Sequence, residues 1–312
     1  MELDLAAVRT FVAVADDLHF GAAADRLGLS QQAVSKRMAR LEAGLGVPLL
    51  NRAPTGTALT KDGAAFLVHA RALVALADRA VAAVRTADRP LRVDVLSTRV
   101  GSTQLVRSFH AANEDVEIDI VKSRGLRTAR VALLAGTIDA AFARVMGVLE
   151  PPLAHTPAYL EPHLVLCGRT HPLAGNRQVR MADLADTITW IPGNEPGSEW
   201  ADLYESLKSE FDLTLDTTGP LFGLDHMLDH LAASPDRYTF GTERMRIPWH
   251  PEIVHIPIVD PTPLYPWSVL WHRDNQHPAL PRLIAHLRAG YTPFDPARHW
   301  LPPSDRHLFG PA

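Results

Sequence analysis

The sequence predicts an α/β chain: an amino-terminal helix-turn-helix with a two-stranded wing, one long connecting helix, and a two-lobed α/β region. Three observations carry that reading. Apolar residues recur at helical spacing up to Leu45 with a break at Gly28, a run without proline extends from Lys61 to Arg85, and from Leu91 onward strand-like and helix-like segments alternate. A chain of 312 residues is also too long for one ordinary core. The expected divisions are residues 1–60, a connecting helix over 61–88, a first lobe built from 89–160 with 265–290, a second lobe over 161–264, and an extension over 291–312.

In the segment LDLAAVRTFVAVADD, Leu5, Val8, Val12 and Ala15 form one helical stripe, joined by Leu3 and Phe11. A short Ala-rich helix follows from Phe20 to Leu27; Gly28 breaks it, and Ser30 is placed to cap the next helix. Two helices joined by so short a turn make a helix-turn-helix. On a wheel of about 100° per residue, Val34, Met38 and Leu41 share a narrow arc that must pack inward. Gln32, Ser35, Lys36 and Ala39 project from the opposite side, with Gln31 at the amino-terminal edge and Arg40 flanking. Val47 to Leu50 then read as a strand, Ala53 to Gly56 carry turn signals, and Thr57 to Thr60 return, which makes a wing.

Charge sharpens this picture. The whole chain has a formal net charge of −4, yet between Arg26 and Lys61 the cations Arg26, Lys36, Arg37, Arg40, Arg52 and Lys61 meet only one acid, Glu42. A short, polar, cationic helix face suits a DNA major groove: amides and Lys reach base edges while Arg and Lys reach phosphates. A solvated surface is the competing reading for an isolated cationic helix; the wing behind this one favours DNA.

The order F-x-x-V-A, FGAAADRLGLSQQAVSKRMARLEAGLGVPLLNR and G-x-x-LT-x-x-G resembles the DNA-binding domain of LysR-type transcriptional regulators from about Leu3 to Gly63. The resemblance implies that Gln31, Gln32, Ser35 and Lys36 contact bases and phosphates, and the full expected DNA-binding set is Ser30, Gln31, Gln32, Ser35, Lys36, Arg40, Arg52 and Thr55. Two positions depart from the pattern: Gln32 stands where Pro or Ser is common, and Thr55 where the wing tip usually carries Arg.

The run from Lys61 to Arg85 is rich in Ala and Leu and reads as one amphipathic helix. Phe66, Leu67, Ala70, Leu73, Val74, Ala77, Val81 and Val84 form a stripe too long for a small domain to cover, so a second chain is expected to cover it. The resemblance implies antiparallel pairing of such helices, hence a homodimer on double-stranded DNA with a near-palindromic operator, dimers pairing further into tetramers, and RNA polymerase as a further partner.

Beyond the linker, LRVDVLST, VEIDIVKS and IDAAFAR read as strands and QLVRSFHAAN and RVALLAGT as helices. A second unit starts at HLVLCGRTHPLAG, and the chain returns through PWSVLWHRD to the helix LPRLIAHLRAG. This pattern resembles the effector-binding domain of the same family, similar in shape to periplasmic solute-binding proteins. Ligands in such open sheets sit beyond the carboxyl ends of strands. The segments meeting there make Ser97, Thr98, Arg99, Ser102, Thr103, Arg144, Gly193, Ser198, Phe222 and Gly241 the expected contacts for a small-molecule effector, polar or anionic. Helix capping is an open alternative for the hydroxyls, solvent for Arg99, and a rim position for Arg144.

Other chemistry finds little support. No apolar run approaches the roughly 20 residues of a membrane span and the amino terminus begins acidic, so a cytoplasmic location is expected. The single cysteine, Cys167, excludes a disulfide within one chain and reads as a packed strand thiol. His250, His255, His272, His277, His286, His299 and His307 lack the spacing of a metal site and read as surface or capping residues. No GxSxG, Walker or Rossmann motif is present, so neither an enzyme nor a resident cofactor is expected; the rival class is an enzyme or solute receptor on the same two-lobed scaffold. The tail, with Trp300 and Phe309, either packs on its own domain or meets a neighbouring subunit.

Overall fold

The computed structural model describes residues 3–53, 56–84, 89–123 and 125–310. The chain divides into two compact units, Met1–Thr86 with Leu134–Thr137, and Ala87–Leu133 with Ile138–Ala312.

Three helices open the first unit: α1 (Leu5–Asp17), α2 (Phe20–Leu27) and α3 (Gln31–Leu45). Each starts on a side-chain cap, since Asp4 accepts from the Ala6 amide, His19 Nδ1 from the Ala22 amide and Ser30 Oγ from the Ala33 amide. Gly28 ends α2 with a φ of 63°, a left-handed conformation that lets the chain turn at once into α3. Val8, Phe11 and Val14 of α1, Ala23 of α2 and Val34, Met38 and Leu41 of α3 bury together as one core, which orients the opposite side of α3 outward.

The wing consists of β1 (Leu50–Ala53) and β2 (Gly56–Leu59), antiparallel with Leu50 opposite Leu59 and Arg52 opposite Thr57. Glu42 fixes it to α3: its Oε1 accepts the amides of Leu49 at 2.8 Å and Leu50 at 3.1 Å. The lone acid of the basic stretch is thereby used in holding the wing. Thr55 and Arg85, and the side chains of Arg52 and Val84, lie outside the described residues.

Helix α4 (Lys61–Val84) departs from the expected stripe. Leu67 and Ala70 are buried in the first unit's own core and Phe66 packs 5.5 Å from Phe11, so this part of the stripe is covered within the chain. Val81 stays 51% exposed, and Val68 at 69% and Leu76 at 57% open a different arc of the helix that the stripe omitted. α1 claims one side, so the uncovered apolar area shifts around the axis. Arg9 with Asp78, and Arg71 with Asp16, tie α1 and its end to α4 at 2.5–3.0 Å and 2.6 Å.

The second unit begins with β3 (Leu91–Asp94), α5 (Gly101–Ala111), β4 (Ile118–Val121), α6 (Leu126–Ala135) and β5 (Ala140–Ala143). It continues through β6 (Leu153–Gly168), β7 (Val179–Arg180), β8 (Ile188–Trp190), α7 (Glu199–Phe211), β9 (Thr214–Asp216), α8 (Leu224–Ala232) and β10 (Arg237–Thr242). The chain closes with β11 (Ile253–Val259), β12 (Thr262–His272), α9 (Ala279–Ala289), β13 (His299–Trp300) and α10 (Pro303–Phe309). The sheet order is β4-β3-β5-β12-β6-β10-β8-β9, with β11 on β6 and β7, and β13 on β12.

Strand β6 joins the two lobes. From Leu153 to Pro162 it pairs antiparallel with β12; from His163 to Cys167 it pairs with β10 and from Leu164 to Gly168 with β11. The second unit of the sequence reading starts at His163, ten residues into this strand; Pro157 and Pro162 are residues that disfavour an interior strand. Both prolines sit where the ladder is interrupted: Pro157 at the register shift opposite Trp267 and Ser268, Pro162 where partners change. The tail packs on its own domain, with β13 parallel to β12 and Phe294, Leu301 and Phe309 in a small core with Leu264. Cys167 is buried, and burial pushes its thiol up to about 11.

Gly63, in the first turn of α4, lies so close to the wing that a Cβ there would stand 2.0 Å from the Leu49 carbonyl oxygen. Replacing Gly63 by Ala must displace either the wing or α4. The expected result is a loss of about 3 kcal/mol in the first unit, seen as a lowered melting transition of that unit by calorimetry.

Candidate nucleic-acid interface and ligand cavity

The outward face of α3 is built by subtraction: once Val34, Met38 and Leu41 are buried, Gln31, Gln32, Lys36, Ala39 and Arg40 are exposed and Ser35 is half-buried. Ser30 spends its hydroxyl on the Ala33 amide at 3.2 Å, so it shapes the helix start and has less to offer a base. First-turn N–H groups and the helix dipole favour an anion at this end. Lys61 is exposed at the start of α4. Arg26 does not belong to this surface, for its guanidinium meets Asp17 at 3.2 Å and Asp16 at 3.7 Å and donates to the Ala13 carbonyl at 2.7 Å. The basic face is therefore narrower than the charge count of the segment suggests.

In the second unit two adjoining cavities open between the lobes. One, of about 450 Å³, is lined by Leu96, Ser97, Arg99 and Val100 from the first lobe, by Trp200, Tyr204, Leu224, Phe240, Thr242 and Met245, and by Glu161 and Trp267 at its base. The other, of about 500 Å³, shares Leu96, Trp200, Tyr204 and Phe240 and adds Ile191 to Glu195, Ser198, Leu221, Met227 and Thr239. Leu96 reaches both from a left-handed backbone, φ 62°, in which its amide donates to Asp94 Oδ1 at 3.0 Å. The walls are aromatic: Trp200 lies 3.9 Å from Tyr265 between ring centroids, Tyr204 stacks on Phe240 at 5.8 Å and Tyr159 on Trp267 at 5.8 Å.

Glu161, 1% exposed, accepts from the Thr242 hydroxyl and from Trp267 Nε1, each at 2.8 Å. Burial raises its pKa above the ordinary carboxylate value, against the pull of those donors, of the Tyr159 hydroxyl and of Arg244. Beside it His163 is fully enclosed, its Nδ1 3.2 Å from the Pro263 carbonyl oxygen, and burial lowers its pKa to about 4.

Of the expected effector contacts, Ser97, Arg99, Gly193 and Ser198 line the cavities. The others do not come together there. Thr98 is exposed outside the lining. Ser102 is buried and donates to the Val95 carbonyl, while Thr103 donates to the Ser97 carbonyl, so the hydroxyl cradle is consumed by the backbone. Ser198 caps α7 through the Ala201 amide. Phe222 is 74% exposed and stacks on His226. Gly241 faces away from Phe240 and Thr242 on its strand, packed against Leu164 and Leu166.

Arg144 is corrected most firmly. It is 1% exposed, and its guanidinium donates to Asp305 at 2.9–3.0 Å and to the Glu199 carbonyl at 2.8 Å, with Asp202 at 2.7 Å. The carboxy-terminal helix holds this cation, not a ligand. Sequence reasoning missed Glu161, Trp200, Tyr204, Phe240 and Trp267; the signal available was an acid alone among apolar residues in AYLEPHLVL. His272 and His277 cap turns by accepting the Asp274 and Ala279 amides, and among the described residues no group of three His, Cys, Asp or Glu could hold a metal ion. No helix among the described residues is long and apolar enough to cross a membrane.

Comparison with known proteins places both units. The family described as bacterial regulatory helix-turn-helix protein, lysR family, matches residues 5–64, and the LysR substrate binding domain matches residues 85–292. The chain is 32% identical over 194 residues to the uncharacterized HTH-type transcriptional regulator YnfL of Escherichia coli, covering 59% of this chain and 64% of that one. It is 33% identical over 214 residues to the HTH-type transcriptional regulator AlsR of Bacillus subtilis, covering 65% and 67%. These alignments span about two thirds of each relative's length. Among solved structures, full-length CbnR complexed with its target DNA superposes with a TM-score of 0.66 at 25% identity, covering 92% of this chain and 99% of that one.

Two outcomes test this geometry. Asp305→Ala leaves Arg144 enclosed with Asp202 as its remaining carboxylate, and is expected to cost about 3–5 kcal/mol in the second unit by urea denaturation. For His163, folded and unfolded pKa values of about 4 and 6.5 mean that the unfolded chain takes up a proton first. Its contribution is thus complete above pH 6.5 and lost as pH falls toward 4, by about 3 kcal/mol. The stability difference between wild type and His163→Gln, followed by denaturant titration from pH 7 to 4, should narrow by that order.

Proposed function

The chain belongs to the LysR family of bacterial regulators, and from that premise we propose that it is a DNA-binding transcriptional regulator whose action is modulated by a small molecule held between the lobes of its second unit. The observation that carries the first half is the outward face of α3, where Gln31, Gln32, Lys36 and Arg40 are exposed on a helix whose other side is fully buried. Gln31, Gln32 and Ser35 are the readers of base edges, and Lys36 and Arg40 hold phosphates. Arg52 and Thr55 keep their proposed place at the wing.

The second half rests on the cavities of about 450 and 500 Å³, each the size of a metabolite site and closed by elements from both lobes. A ligand that prefers one spacing of the lobes shifts their equilibrium by the difference in its affinity for the two states. Residues 61–88 act as the connecting and pairing segment. The exposed Val68 and Leu76 support a homodimer through α4, presenting two recognition helices to two half-sites of a near-palindromic operator. Pairs of dimers and contact with RNA polymerase complete the reading, in the cytoplasm and without catalysis.

Replacing Lys36 by Ala should weaken binding to the operator roughly tenfold and make the salt dependence shallower by about one phosphate contact. Fluorescence anisotropy with labelled operator at several salt concentrations measures both. Unchanged affinity and slope would remove Lys36 from the interface.

A further inference from the structure

We propose that the cavity over Glu161 takes a small organic ammonium ion, its cationic head on the Glu161 carboxylate and its apolar body against Trp200 and Trp267. This deepens the effector-binding reading and rests on it; what is new is the chemical class of the ligand, opposite in charge to the one that the sequence suggested.

Four observations converge. First, the charged lining residues of this cavity are Glu161 and Arg99, and they differ in depth: Glu161 is 1% exposed at the base, whereas Arg99 is exposed. Solvent and salt screen the exposed charge far more than the buried one, so the base dominates the field a ligand meets. Secondly, three of the hydroxyls that would suit an anion are committed: Thr242, in the lining, donates to Glu161, and Ser102 and Thr103, outside it, donate to the Val95 and Ser97 carbonyls.

Thirdly, a carboxylate offers about four lone-pair positions; Thr242 and Trp267 take one on each oxygen, and the Tyr159 hydroxyl interacts with the group as well, which leaves one. Capacity for an N–H donor remains on a group that lines the cavity. Fourthly, Trp200, Tyr204, Phe240 and Trp267 line the cavity, and a cation near the face of Trp or Tyr is attracted by the ring quadrupole. The protein already uses that attraction next door, where the Arg244 guanidinium sits 5.5 Å over the Tyr159 ring. Arg244 also draws on Glu161 electrostatically, and it is the cation with which a ligand's ammonium shares the carboxylate's field. A buried acid beneath aromatic faces selects for a positive, partly apolar molecule and against a carboxylate of the same shape.

The test uses the purified full-length chain and three probes of matched shape: 2-phenylethylamine, 2-phenylethanol and phenylacetate. Isothermal titration calorimetry gives each Kd, and quenching of tryptophan fluorescence reports on contact with the aromatic walls. The amine should bind at least roughly tenfold more tightly than the acid, with the alcohol between them, and Glu161→Gln should bring the amine-to-acid ratio close to one. Tighter binding of the acid, a ratio unchanged in Glu161→Gln, or no binding of any probe at millimolar concentration overturns the proposal. If the Gln variant does not fold, the wild-type ratio decides alone. Operator binding by the same preparations separates the two readings. With DNA affinity intact and the amine preference absent, only the ligand class falls; without DNA binding in the wild type, the regulator reading falls whatever the cavity takes.

Discussion

The second unit hangs from one antiparallel ladder. β6 and β12 lie side by side from Leu153 opposite His272 to Leu264 opposite Pro162, and every other strand of the sheet is attached to one of them or to a neighbour. Because β6 continues past Pro162 into pairs with β10 and β11, the same backbone that closes the first lobe opens the second. Side chains alternate along it, and Glu161 and His163 fall on the face beneath the cleft. The ladder thus sets how far apart the lobes stand and puts an acid and a neutral imidazole between them.

Charges that this scaffold buries are each given a partner, and the partners do structural work that would be mistaken for binding. Arg144 joins β5 to α7 and α10; Glu199, also buried, accepts the Leu126 amide at the start of α6 from across the cleft. In the first unit Glu42 holds the wing and Arg26 is bound to Asp16 and Asp17. On the outward face of α3 and on Glu161 at the cavity base, polar capacity remains that the fold has not used.

Much of the molecule was legible from sequence. Helix caps at Ser30 and Gly28 and the stripe of Val34, Met38 and Leu41 are local signals, and the outward face of α3 follows from them without further information. What was illegible depended on distant partners. The length of β6 was hidden by Pro157 and Pro162, whose tolerance comes from a register shift and a change of neighbour that only the sheet reveals. Ser102, Thr103 and Arg144 are chemically suited to an anion, and nothing nearby in sequence says that two carbonyls and Asp305 have claimed them. The α4 stripe failed differently: its apolar residues were identified correctly, but which of them α1 covers is a tertiary fact.

The Arg144–Asp305 pair spans 161 residues of chain, with the acid in the last helix. A chain emerging from the ribosome amino end first exposes β3, α5, β4, α6 and β5 long before Asp305 has been synthesised, so until then the Arg144 guanidinium has Asp202 of α7 as its carboxylate partner and lacks the buried one. A chain truncated ahead of Asp305 would carry a cost that is electrostatic as well as apolar, because one buried cation would have lost its buried counter-ion.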